Sequence, residues 1–160
     1  MTAPAGPDEP AAPIVPMRWW HIEPVLRMER ELFADEPWSA AAFWSELAQE
    51  HTRHYVVALD PADPERVVGY AGLAAYGDEA HVLTLGVTGD RQRHGLGGAL
   101  LSDLLAAARR SGARTVLLDV RADNRVAQRL YARHGFTPAG VRRHYYQPSG
   151  VDAVVMVWHG

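Results

Sequence analysis

Apolar residues recur along the chain with two different periods, and the switches between them divide it into elements. Val25, Leu26, Met28, Leu32 and Phe33 fall at helical spacing and predict a helix over 22–33, with Pro24 suited to its first turn. Ser39 is the expected N-cap of a second helix ending near Glu50. Three β-rich runs follow at 55–59, 67–76 and 80–87, separated by turn clusters at 60–65 and at Gly77-Asp78, the pattern of an antiparallel meander. Leu96, Leu100, Leu104 and Ala108 repeat four apart and predict a helix over 95–111, closed by Gly112. A strand at 115–120 leads to a helix that Asp123 or Asn124 caps and that runs to about His134. Closing strands are expected at 141–146 and 153–158, around a turn at Pro148-Ser149-Gly150. With a short strand at 17–19, the order is βααβββαβαββ, an α/β chain with a mixed sheet.

Composition narrows the class. A chain of 160 residues, 48% hydrophobic and 22% charged, suits one globular domain, and its apolar runs are interrupted well short of the roughly 20 residues needed to cross a bilayer. Five prolines in the first sixteen residues predict a disordered tail over 1–16 and a folded domain over 17–160. That tail has neither the basic nor the apolar region of a secretory signal. Cysteine is absent, which removes disulfides and thiolate chemistry and suits the cytoplasm. A net charge of -3 gives no field to hold nucleic acid. All 16 basic residues are arginine, so Schiff-base and phosphate-loop lysines are excluded. His51 and His54 lack partners at ligand spacing, and no metal is expected.

The segment richest in chemistry joins strand to helix: Leu83 to Val87, then Arg91-Gln92-Arg93-His94-Gly95-Leu96-Gly97-Gly98. Free N–H groups and the positive end of the dipole at a helix start attract phosphate, and glycines allow close approach. The same glycines would also serve if they only let helices pack tightly. Gln92-Arg93-His94-Gly95-Leu96-Gly97 after a strand resembles the acyl-CoA-binding turn of the GNAT superfamily of N-acetyltransferases. Pro37-Trp38-Ser39, Asp78-Glu79-Ala80, the run Leu118 to Asn124, the run Arg129 to Phe136, and Arg142-Arg143-His144-Tyr145-Tyr146 extend the likeness. Together they resemble the ribosomal-protein-alanine branch, the RimI type, over about 17–158.

The resemblance implies the GNAT fold, an α/β twisted sheet, and acetyl-CoA as co-substrate. Leu85, Gly86 and Val87 match positions that pair with pantetheine, with Gly86 allowing a bend. The strand carrying them should splay from the strand at 115–120 and open a crevice. Arg93, His94, Gly95, Leu96, Gly97 and Gly98 match the pyrophosphate loop, and Asn124 a cofactor contact that can also cap its helix. Arg125, Arg129 and Arg133 form a stripe that suits a phosphate or a solvated face. Tyr131 matches the acid that protonates the departing thiolate. A phenol near 10 facing a thiol near 8.5 leaves a mismatch of roughly 2 kcal/mol. Asp119 stands where the branch carries a glutamate base, and Glu79 is the rival base. Trp38, Tyr145 and Tyr146 are candidates for the acceptor groove.

The implied acceptor is a protein or peptide N-terminus, ribosomal in the branch. An α-amine near 7.8 is roughly one-seventh neutral at pH 7, against about one lysine amine in 2,500, so a weak base suffices. The alternatives are a small-molecule amine, an internal lysine, or a non-catalytic acyl-CoA-binding domain. No nucleic acid or membrane partner is expected, and a monomer or a dimer would serve.

Overall fold

Alternation along one strand shows how the layers assemble. In β2 (Arg53–Asp60), Val56 and Ala58 point into one core while Tyr55 and Val57 point into another on the opposite face of the sheet. The first core holds Leu100, Leu101 and Leu104 of α3 (Leu96–Arg110) and Tyr131 of α4 (Arg125–Arg133). The second holds Val25 and Leu26 of α1 (Ile22–Leu32) and Phe43 of α2 (Ala40–Leu47). Helices thus cover both faces of a single sheet. The structure is a computed structural model that describes residues 11–160.

Among these residues the remaining strands are β1 (Ile14–Pro16), β3 (Asp63–Tyr76), β4 (Glu79–Val87), β5 (Thr115–Arg121), β6 (Thr137–Arg142) and β7 (Ala153–His159), in spatial order β1-β2-β3-β4-β5-β7-β6. The element order is the expected one, and β2, β3 and β4 form the antiparallel meander. Ser39 caps α2 by accepting the N–H of Ala42 at 3.1 Å, although the helix ends at Leu47 rather than near Glu50. No described helix is long and apolar enough to cross a membrane.

The two ends of the chain depart from expectation. The tail predicted over 1–16 lies outside the described residues only up to residue 10. Ile14–Pro16 is a strand paired with Val56, Val57 and Ala58, and the expected strand at 17–19 is replaced by a 3-10 turn at Trp19–His21. Near the other end the strand lies at Thr137–Arg142 rather than 141–146. His144 has a φ of 52, and its N–H donates to Asp152 Oδ1 at 2.8 Å, which turns the chain and puts Tyr145 and Tyr146 in a loop.

The parallel pair β4–β5 positions the site. Its ladder consists of Glu79 with Thr115, Ala80 with Val116 and His81 with Leu117, and then the strands part. Among the described residues, the backbone edge of β4 from Val82 onward has no strand partner on that side, as the resemblance implied.

Candidate functional site

Two cavities, of about 580 and 650 Å3, open on this gap. On β4, His81 and Leu83 share one face, while a bulge at Leu83 turns Leu85 toward the core under α3; on β5, Leu117, Asp119 and Arg121 share one face. His81 and Leu117 line the larger cavity, Leu85 and Arg121 the smaller, and Leu83 and Asp119 both. The cavities therefore meet at the level of Leu83 and Asp119. The ladder slips there: Gly72 faces Thr84 while Leu73 faces Val82, so Leu83 is the unpaired, bulged residue. Gly86, expected to give the bend, has another duty. A Cβ on it would lie 2.7 Å from the Tyr70 ring, so only glycine lets Tyr70 pass beneath β4.

The smaller cavity runs between α1 and α4. Tyr131 lines it and is 8% exposed, with burial first and neighbouring Tyr146 second pushing its phenol up to about 12. Asn124 lines it too and caps α4, accepting the N–H of Ala127 at 3.1 Å, so both of its expected roles are open to it. Leu85 is the pantetheine candidate that reaches this cavity; Gly86 and Val87 continue the same strand edge outside it, and the carbonyl of Val87 accepts from Gln92 Nε2 at 3.0 Å.

Arg93, His94, Gly95, Leu96, Gly97 and Gly98 form the turn into α3 and stand beyond the linings of both cavities. Arg93 and Gly95 have φ of 67 and 82, and a left-handed residue before a helix start builds an anion-binding concavity from backbone N–H groups. The packing reading of the glycines also holds, because a Cβ at Gly97 would come within 3.3 Å of Leu130 and one at Gly98 within 3.1 Å of His134. Leu96 belongs to the core. Arg125, Arg129 and Arg133 are exposed, the arrangement of a solvated face.

At the larger cavity, Asp119 Oδ1 accepts from Arg142 Nε at 3.1 Å. Glu79, the rival base, lines neither cavity; its Oε1 lies 3.0 Å from His81 Nε2. Trp38 and Tyr146 line both cavities and Tyr145 the larger, so all three acceptor-groove candidates face the gap. Burial, and then the nearby Asp119 charge, push the Tyr146 phenol up to about 12. Trp38 is held from below: its N–H donates to Glu29 Oε1 at 3.2 Å, and Glu29 also accepts from the Tyr70 hydroxyl. Burial raises the Glu29 carboxyl above its ordinary value, and these two donors pull it partly back.

Glu36 and His81 are among the residues at the gap that carry no assignment from the sequence. Glu36 lines both cavities, and its Oε1 is buried without a hydrogen-bond partner among the described residues. His81 lines the acceptor-side cavity. Glu36 had a sequence signal, standing directly before the Pro37-Trp38 pair, whereas His81 had none beyond its place two residues after Glu79.

Comparisons with known proteins agree with this geometry. The model of the acetyltransferase (GNAT) family matches residues 18–136. The N-alpha-acetyltransferase RimI of Mycobacterium tuberculosis is 43% identical over 134 residues, covering 81% of this chain and 80% of its own. The ribosomal protein bS18-alanine N-acetyltransferase of Escherichia coli is 33% identical over 122 residues, covering 75% of this chain and 79% of its own. A crystal structure of the corresponding E. coli enzyme superposes with a TM-score of 0.78 at 29% identity, covering 92% of each chain. The splayed strand pair, the glycine turn and these matches make the chain a member of the GNAT family, an acetyl-CoA-dependent N-acetyltransferase.

Proposed function

We propose that the chain acetylates the N-terminal α-amine of a protein, with alanine as the first residue, by direct transfer from acetyl-CoA. The observation that carries the reading is the unpartnered carboxylate oxygen of Glu36 where the two cavities meet. A buried carboxylate oxygen without a donor is costly, and an incoming α-ammonium supplies the N–H that it lacks. The names of the relatives, which act on protein α-amines, point the same way.

In this reading the co-substrate enters from the α4 side. Its pantetheine lies along the free edge of β4 at Leu85, Gly86 and Val87, and its pyrophosphate meets the N–H groups from Arg93 to Gly98, with Asn124 beside it. The acceptor enters on the side of Trp38, Tyr145 and Tyr146, and its amine attacks near Asp119. Tyr131, kept protonated by burial, gives its proton to the departing sulfur. The cytoplasm, where new protein termini meet acetyl-CoA, is the matching compartment, and a ribosomal protein the matching acceptor.

Release of CoA is the test, measured with a peptide bearing a free N-terminal alanine, the same peptide N-terminally blocked, and a blocked peptide with an internal lysine. Release with the free terminus alone is the expected result. Release with the lysine peptide would replace the reading, and release with neither would turn it toward a small amine.

A further inference from the structure

We propose that Glu29 is a positioning residue for the acceptor: seated on Tyr70, its carboxylate fixes the backbone at Trp38 and so holds the wall that the amine meets. The proposal rests on the reading above in one respect, that the acceptor binds beside Trp38.

Ile22, Val25, Leu26 and Glu29 recur at helical spacing and form one buried face of α1, so a carboxylate stands where the pattern calls for an apolar side chain. Glu29 is 2% exposed. Burying a carboxylate there is costly, and an apolar residue of similar size would pack α1 at least as well. What such a residue cannot do is accept hydrogen bonds, and Glu29 accepts two from other parts of the chain. Its Oε1 takes the N–H of Trp38, nine residues on, at 3.2 Å, and its Oε2 takes the hydroxyl of Tyr70 in β3. One carboxylate thus joins α1, the sheet and the segment that leads from α1 to α2.

That segment has few other main-chain anchors. Phe33 N–H closes α1 on the Glu29 carbonyl at 2.9 Å, and Glu36 N–H meets the Phe33 carbonyl at 3.0 Å. Pro37 has no N–H to give, so between Glu36 and the cap of α2 at Ser39 the bond from Trp38 to Glu29 is the main-chain tether among the described residues. Glu36 and Trp38, which line both cavities, flank it. The Trp38 ring has supports of its own in Phe43 at 5.0 Å and Tyr55 at 6.5 Å, so Glu29 governs the main chain rather than the ring. Tyr70 in turn keeps the carboxylate in place. It is buried, its partner across the ladder is Gly86, and the missing side chain there leaves its ring the space beneath β4. The acceptor wall is thereby referred to the strand along which the co-substrate is proposed to lie.

The experiment measures kcat, both KM values and the melting temperature for wild type, Glu29→Leu, Glu29→Gln, Tyr70→Phe and Trp38→Ala, on whichever amine wild type acetylates. Glu29→Leu should raise the acceptor KM about 10-fold, with the acetyl-CoA KM held within about twofold and the melting temperature at or above that of wild type. Glu29→Gln keeps an oxygen for the Trp38 N–H and offers its amide to the Tyr70 oxygen, and should bring the acceptor KM back to within about threefold of wild type. Tyr70→Phe should fall between the two. An unchanged acceptor KM in Trp38→Ala overturns the placing of the acceptor beside Trp38, and the proposal with it. A raised acceptor KM in Trp38→Ala beside a wild-type value in Glu29→Leu overturns the proposal alone, as do two KM values that rise together in Glu29→Leu or a loss that Glu29→Gln does not rescue. If Glu29→Leu fails to fold, Tyr70→Phe decides: a wild-type acceptor KM in that variant overturns the proposal, and a raised one with the acetyl-CoA KM held supports it.

Discussion

Tyr131 shows how the environment of one position bears on the chemical role proposed for it. It ends a helical row that packs α4 on the sheet, and its ring meets Phe136 edge-on at 5.8 Å. Burial that would suit any core tyrosine also pushes its phenol up to about 12, farther from the thiol than an exposed tyrosine. In the proposed reaction the group is thus a weak donor that stays protonated through the neutral range, which suits a concerted transfer to a sulfur whose charge is still developing. Two outcomes follow. Tyr131→Phe should lower kcat about 100-fold while the acetyl-CoA KM stays within about twofold, measured by initial rates with both substrates varied. Because an acid acts only while protonated, this phenol should cause no alkaline fall in wild-type kcat up to pH 10. A phenol at its ordinary value would be half ionised there.

At the scale of elements, a charge network sets the start of α3. Asp60 closes β2 and is 7% exposed, accepting from the N–H of Ala62 at 2.9 Å, from Arg66 at 3.1 Å and from Arg91 at 3.0 Å. Arg66 reaches on to Asp90 at 3.0 Å. Asp90 and Arg91 form the 3-10 turn Gly89–Arg91 that runs directly into the glycine turn, so Asp60 braces from behind the loop proposed to hold the pyrophosphate. The Ala62 N–H, foremost, and the two guanidinium groups keep its carboxyl below the ordinary range. A carboxyl held low contributes stability above its unfolded value near 3.9 and loses it as pH falls through the folded one. Asp60→Asn should therefore melt below wild type at pH 7, with the gap narrowing as the pH falls below about 3.9, and should raise the acetyl-CoA KM several-fold. An unchanged melting gap at pH 3 would mean that the charge is not what the network uses.

The elements were readable where their periods were strong. The meander, α3 and α4 follow from alternation or from four-residue repeats. The strand β6 does not, because Thr-Pro-Ala-Gly-Val-Arg is exposed along its whole length and alternates nothing. The β-rich Tyr145-Tyr146 drew the prediction away from it. Of the candidate site, the glycine turn, Tyr131 and Asp119 were visible as residues matching the family's motifs. The unpartnered oxygen of Glu36 was not, since it acquires meaning only from neighbours distant in the sequence.

Across the whole molecule, the sheet separates two cores that share few side chains, and β1 is an element that touches both. Ile14 packs against the core under α3, and Val15 against the core under α1 and α2. The ladder continues beyond the strand on each side, with Leu59 N–H donating to the Pro13 carbonyl and Met17 N–H to the Tyr55 carbonyl, both at 2.9 Å. Two partly buried side chains and the hydrogen bonds lost with residues 13–16 are worth about 2–4 kcal/mol together. At about 2–4 °C per kcal/mol for a domain of this size, a chain begun at Met17 should melt roughly 5–10 °C below one begun at Ala11. The gap between β4 and β5 lies three strands away from β1, and the Asp60 network closes the far end of β2. Both chains should therefore show the same acetyl-CoA KM below their melting points. Equal melting temperatures would show β1 to be a passive edge, whereas a raised KM would show that the loss of β1 reaches the crevice through β2 and Asp60.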